Sequence, residues 1–293
     1  LHSRLTPQPP ACSNAARQQG PTMSPPSFTD ATGQVLPVAD QPVRIVSLVP
    51  SLTELLVDLG LGEAMVGRTG FCIHPAAAVR NIPKVGGTKD IKLDEIVARE
   101  PTHVIMNIDE NLREDAERLR AAGVTVVVTH PQTPNDNIEL CQMLGGLFGA
   151  QAAAARLEAE LSQALGEAQA AQRTSAHAAL RVLYLIWREP WMSVSPTTYV
   201  AQMLSLGGLS VVEQTDPARY PWVESGAWAQ ADRVLLSSEP FPFRERHRLE
   251  VSTRFNVEAA KIRFVDGELL SWYGSRAVDG VRYAATLTSL LSE

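Results

Sequence analysis

Three histidines, His74, His103 and His130, and the adjacent acids Asp109 and Glu110 could hold a metal or move a proton. Their spacing argues against both roles. No pair stands four residues apart on a helix, and His103 lies in an apolar run that reads as a buried strand, so no metal site is assigned. Neither a G-x-S-x-G elbow nor an S-x-x-K motif occurs, and no catalytic residue is assigned. Gly86-Gly87 lacks the further glycines of a phosphate cradle and reads as a tight turn. Stacking is the remaining chemistry. Phe71, Trp191 and the Trp272-Tyr273 pair fall at predicted strand ends and loops, where open α/β lobes place ligands. Flat rings there would offer a large contact area at low rotamer cost. Trp187 and Trp222 read equally as ligand contacts and as core or lobe-interface residues.

These positions must be held by a repeated α/β scaffold. Arg44–Val49 is a short β-rich apolar run, and Ser51-Leu-Thr-Glu54 has capping-box spacing, predicting a helix from Ser51 to Leu59 closed by Gly60. Short strands at 64–67, 103–107 and 124–128 follow, with helices at 94–99 and 111–122 between them. The order then recurs: strand 181–187, helix 197–206, strand 233–237, helix 244–260 and strand 262–265. "LVDLGLGEAMV" at 56–66 echoes "MLSLGGLSVV" at 203–212. Alternation of this kind predicts two parallel sheets, each covered by helices. Between the repeats, Thr133-Pro-Asn-Asp136 starts a short helix ending at Gly145-Gly146. Residues 150–174 then form a Pro-free helix of about 37 Å with Leu157, Leu161 and Leu165 on one face, long enough to strut two lobes. The expected organisation is a disordered segment 1–42, an N-terminal lobe 43–149, a connecting helix 150–175 and a C-terminal lobe 176–293.

Composition fits this plan. The chain has 293 residues, 45% apolar and 20% charged, with a net charge of −6 that disfavours a phosphate-binding surface, so nucleic acid is not expected as a partner. Residues 1–42 hold eight prolines among polar residues without hydrophobic periodicity, and lack the basic-then-apolar pattern of a secretory signal. Cys12, Cys72 and Cys141 form no metal or disulfide framework. Cys72 and Cys141 read as small buried side chains, with a bridge between them as the alternative.

Several stretches carry a family resemblance: "RIVSLVPSLTELLVDLG", "VGRTGFCIHP", "IPKVGGTKDIKLDEIVAREPTHVI", "RYPW" and "LLSSEPFPF". Over about residues 43–291 the sequence resembles the helical-backbone (class III) periplasmic substrate-binding proteins of ABC importers. Receptors for vitamin B12, iron–siderophores and haem belong to this class. The resemblance implies two Rossmann-like lobes bridged by one long α-helix, a chelatase-like architecture. It also implies a periplasmic monomer without catalysis or intrinsic cofactor, serving a membrane permease.

The implied ligand is a metal chelate, corrinoid first and iron–siderophore or haem next, held between the lobes. Phe71, Trp191 and Trp272, with Tyr273, fall on or near aromatic cleft positions of the corrinoid receptors. Thr88 and Asn107 replace two of their cleft tryptophans, making this pocket more polar. Asp94 aligns with the acid that docks the first lobe on the permease, and Glu224 is the candidate on the second. Two alternatives stay open: a cytoplasmic carrier of a metal tetrapyrrole, and a chelatase-like enzyme.

Overall fold

The computed structural model describes residues 26–174 and 178–292. A hairpin, β1 (Ser27–Thr29) and β2 (Val35–Pro37), precedes the first lobe. The lobe runs β3 (Ile45–Ser47), α1 (Pro50–Asp58), β4 (Met65–Arg68), α2 (Ala76–Val79), α3 (Leu93–Val97), β5 (His103–Asn107), α4 (Arg113–Ala121), β6 (Thr125–Thr129) and α5 (Asp136–Leu147). The strut is α6 (Gln151–Thr174). The second lobe follows as β7 (Leu180–Leu185), α7 (Tyr199–Leu206), β8 (Leu209–Val211), α8 (Ala227–Gln230), β9 (Arg233–Ser237), α9 (Glu245–Phe255), β10 (Ile262–Val265), α10 (Gly267–Ser271) and α11 (Ala277–Ser292).

The two sheets share one plan. Their orders are β4-β3-β5-β6 and β8-β7-β9-β10, and all pairings within them are parallel. Every residue of β5 is buried, as expected for a strand covered on both faces. In each sheet the chain steps to one side of its first strand and then to the other. That reversal opens a crevice at the carboxyl ends of β3 and β7, where such sheets take ligands.

At 24 residues α6 spans about 36 Å. Its Leu161, Ala164, Leu165 and Ala168 are buried, and it packs on α5 of the first lobe and α11 of the second. A single apolar core therefore runs through the strut into both lobes.

Four local expectations are corrected. First, residues 27–37 are structured, although residues 1–25 lie outside the described ones. The Asp30 carboxylate accepts from Thr32 N (2.8 Å), Thr32 Oγ1 (2.7 Å), Gln34 N (3.0 Å) and Val128 N (3.1 Å). Ala31 N donates to Val128 O, so the hairpin loop caps the edge of β6. Second, α5 runs through Gly145-Gly146. A Cβ at either position would collide with Ala154 or with the Phe28 ring, so these glycines admit neighbours at close range. Third, the Ser51–Glu54 capping box does not form. Pro50 opens the helix one residue early, the Ser51 hydroxyl has no partner, and Glu54 is used elsewhere. Fourth, α9 stops at Phe255, where Asn256 turns left-handed at φ 52°.

Candidate ligand-binding cleft

The loops leaving the carboxyl ends of the strands meet between the lobes. After β4, the chain alternates outward and inward: Phe71 is 64% exposed and Ile73 is exposed, while Cys72 between them is buried against Thr69 Oγ1 at 3.1 Å. Burial pushes the Cys72 thiol up. Among the described residues Cys72 and Cys141 form no disulfide, with each other or otherwise. This loop is fixed by Gly70 N donating to Gly86 O. Gly86 has φ +109°, and a Cβ there would collide with the backbone of Asp90–Lys92, so no other residue fits the turn.

After β5, two asparagines knit the loop. Asn107 Nδ2 donates to Thr129 Oγ1 (3.2 Å), and its Oδ1 accepts from Asp109 N (2.8 Å). Asn111 Oδ1 accepts from Asn107 N (2.9 Å), while its Nδ2 donates to Leu48 O (3.3 Å) and Thr88 O (2.8 Å). These bonds hold Ile108, Asp109 and Glu110 in a turn, with Ile108 exposed and the two acids half-buried. They also correct the expectation for Asn107: its buried amide is spent on the scaffold rather than offered to a ligand. Thr88 is half-buried and uses its carbonyl in the same network.

Two charged clasps join the lobes. Asp109 Oδ2 accepts from Arg219 Nη2 (2.9 Å) and Tyr220 OH (3.2 Å), with His130 Nε2 at 3.6 Å. Glu54, freed from capping, receives Arg276 Nε and Nη2 in a fork at 2.6 and 2.7 Å. The same guanidinium donates to Glu268 (2.5 Å) and lies 4.5 Å over the Trp272 ring. Trp272 Nε1 donates to Glu239 Oε1 (2.5 Å), and His74 from the other lobe meets the Trp272 ring edge-on at 5.8 Å. Tyr273 is buried edge-on to Tyr199 at 5.0 Å. Next to it, Gly274 N donates to Asn137 Oδ1 (2.6 Å), and Asn137 Nδ2 donates to the Tyr199 hydroxyl (3.0 Å). Trp272 and Tyr273 thus sit where the lobes join.

Glu110 and Glu239 leave the third strands, β5 and β9, of the two sheets. Burial pushes the Glu110 carboxyl up to about 8, with the charges of Glu239 and Asp109 adding and Lys89 opposing. Burial also raises Glu239, against the hydrogen bonds from Ser271 and Trp272.

Among the predicted aromatics, Trp191 departs most from expectation. It is 8% exposed and packs with Trp228, Phe243 and Phe255 inside the second lobe, so it belongs to that lobe's core. The exposed tryptophans of this lobe are Trp187, at 42%, and Trp222, at 67%, both bridged to the backbone of Met192. Trp187 lies two residues past the crevice end of β7. Residue type alone could not separate it from Trp191. Its place as the last residue of the predicted strand 181–187 was the signal available.

Asp94 is exposed in the first turn of α3, which leads into β5. Glu224 is exposed on the loop before α8, which leads into β9. Both acids precede the third strand of their sheet, Asp94 inside its helix and Glu224 three residues before one. Glu224 differs in being bound to its own loop: its carboxylate accepts from Thr215 N (2.7 Å) and from the Thr215 hydroxyl, which hold its pKa below the usual carboxylate range.

Paired parallel sheets, a helical strut and apolar side chains on the facing loops define a two-lobed receptor with its cleft between the lobes. The chain belongs to the periplasmic binding protein family, whose sequence pattern matches residues 45–236. It is 23% identical over 201 residues to a vitamin B12-binding protein of Pectobacterium carotovorum subsp. carotovorum, covering 68% of this chain and 72% of that protein. The fold matches the periplasmic vitamin B12 binding protein of Vibrio cholerae with a TM-score of 0.73 at 17% identity, covering 85% and 98% of the two chains. It matches a periplasmic heme-binding protein of Roseiflexus sp. RS-1 in its apo form with a TM-score of 0.72 at 20% identity, covering 86% and 99%.

Proposed function

We propose that this protein captures a planar metal chelate, a corrinoid first and haem or an iron–siderophore next, in the cleft, and delivers it to an ABC-type permease. The observation that carries this reading is the set of exposed apolar side chains on crevice loops. Phe71, Ile73 and Ile108 come from one lobe, and Trp187 and Trp222 from the other. Isolated exposed apolar residues need no explanation, but a concentration on the loops of a cleft marks a binding surface. A flat macrocycle has two apolar faces and suits rings presented from opposite lobes. Relatives that bind vitamin B12 and haem support the ligand class. Family membership supports a periplasmic location, a role without catalysis and a ligand carried rather than retained as a cofactor. Asp94 and Glu224, each exposed ahead of the third strand of its sheet, are the acids proposed to meet basic sockets on the permease. A compact monomer is sufficient for this role.

Titration with cobalamin, cobinamide, haem and a ferric siderophore tests the reading through tryptophan fluorescence. At least one should quench it saturably at micromolar concentration. Binding of a bare divalent ion with no response to any chelate would overturn it.

A further inference from the structure

A second recess lies in the C-terminal lobe, outside the inter-lobe clasps. It is a cavity of about 500 Å³ lined by Arg188, Phe241, Arg246, His247 and Glu250. His247, in the first turn of α9, is only 3% exposed. Its Nδ1 accepts the backbone N–H of Arg244 at 2.8 Å and so caps the helix. A neutral imidazole has one lone-pair nitrogen, and this bond uses it, so Nε2 carries the hydrogen. Burial, then the nearby charges of Arg246 and Arg188, hold the His247 pKa below its usual range, with Glu250 opposing and Arg244 adding. Arg246 Nε nevertheless lies 3.1 Å from Nε2. Two N–H donors face each other there with no acceptor between them.

The surrounding charge is also unbalanced. Glu250 takes the Arg188 guanidinium in a fork at 2.8 and 3.1 Å, and is approached by Arg254 at 3.8 Å. Glu189 sits 2.9 Å from Arg188. Among the described residues no carboxylate pairs with Arg246. We infer that this cavity is an oxyanion-binding site, in which a carboxylate or phosphate oxygen accepts from His247 Nε2–H and the Arg246 guanidinium together. One acceptor would satisfy both donors and the excess positive charge.

The oxygen can come from an acidic substituent of the cleft ligand or from a free anion. Phe241 links the two regions: its ring packs edge-on to His247 at 5.1 Å and to the exposed Trp187 at 5.7 Å. A chelate resting on Trp187 would bring its periphery toward this cavity. That source rests on the proposed function, whereas the site itself does not.

The test titrates the full chain with inorganic phosphate and with acetate while following the His247 imidazole N–H by NMR. The expected result is a saturable shift of that signal, weakened at least about tenfold in Arg246→Gln, as for loss of one charge-assisted hydrogen bond. Because Arg246 is an exposed side chain, the variant should fold normally. His247→Asn, whose amide oxygen can keep the cap, should weaken binding by a similar factor. No shift with either anion, or unchanged affinity in Arg246→Gln, would overturn the site. A second arm compares iron protoporphyrin with its dimethyl ester. A preference for the free acid that Arg246→Gln abolishes identifies the cleft ligand as the source. Anion binding without that preference, or without any porphyrin binding, upholds a site for a free oxyanion, and only the porphyrin result bears on the cleft.

Discussion

The two lobes use the same strand order but carry opposite chemistry at the cleft. The N-terminal lobe supplies the clasp acids, Glu54 and Asp109, beside Phe71, Ile73 and Ile108. The C-terminal lobe supplies Arg219 and Arg276, together with Trp187 and Trp222. A duplicated scaffold fixes where loops emerge, not what they bear, so one half can become the acidic partner of the clasps and the other the basic one. The outer edges differ as well. In the first lobe the β1–β2 hairpin covers the end of β6, whereas β10 leaves Phe264 exposed in the second.

Breaking the charge complementarity should have the largest effect. Arg276→Ala strips Glu54 and Glu268 of their partner and removes the cation over Trp272. A loss of about 3 kcal/mol in urea unfolding is expected, as for a largely buried ion pair left half-made. Glu54→Arg combined with Arg276→Glu should recover part of that loss. If Arg276→Ala costs less than about 1 kcal/mol, the clasp is a surface contact of little consequence.

Removing the edge cover should cost somewhat less. Asp30→Ala leaves the N–H groups of Thr32, Gln34 and Val128 without their acceptor, an expected loss of about 2 kcal/mol. An unchanged melting midpoint would mean that the hairpin is not integral to the lobe.

A third prediction concerns the acids on the two lobes. Glu110 has its folded-state pKa raised from 4.5 to about 8. Within that window the unfolded chain has released a proton that the folded protein retains. The stabilisation is therefore complete below about pH 4.5 and is lost as pH rises through about 8. Melting midpoints should fall across this range in the wild type and fall less in Glu110→Gln. Parallel profiles for the two proteins would contradict the burial of Glu110 between the lobes.

The smallest effect on the isolated protein belongs to Asp94. Asp94→Arg should leave chelate affinity within about twofold and stability within about 1 kcal/mol, the range for an exposed first-turn acid. Uptake through a reconstituted importer should nevertheless collapse. Normal uptake would exclude docking through this position. Glu224→Ala is a poorer probe, because it also releases the Thr215 loop.

How much of this was legible beforehand varies with the range of the interaction. Strands such as Val124–Val128 and the Pro-free helix after Ala150 announce themselves by composition and period, and the repeat follows from their order. The hairpin does not. Its strands have three residues each, and Asp30 reaches a partner 98 positions away. The Ser51–Glu54 spacing suggested a cap because nothing local reveals that Glu54 meets Arg276, 222 positions along the chain. Trp191 and Trp187 lie four residues apart on one loop, and burial alone decides that the first is core and the second is rim. Asn107 sits where a cleft residue was expected, yet its amide is consumed by Thr129 and its own loop.

The contrast between rim and core tryptophans gives the most direct test of a cleft walled by exposed rings. Chelate affinity should be measured by equilibrium titration for the wild type, Trp187→Ala, Trp222→Ala and Trp191→Phe. Each rim substitution should weaken binding about tenfold, the scale of a lost aromatic stack, while Trp191→Phe should stay within about twofold. Undiminished affinity in both rim variants, with a loss confined to Trp191→Phe, would contradict it.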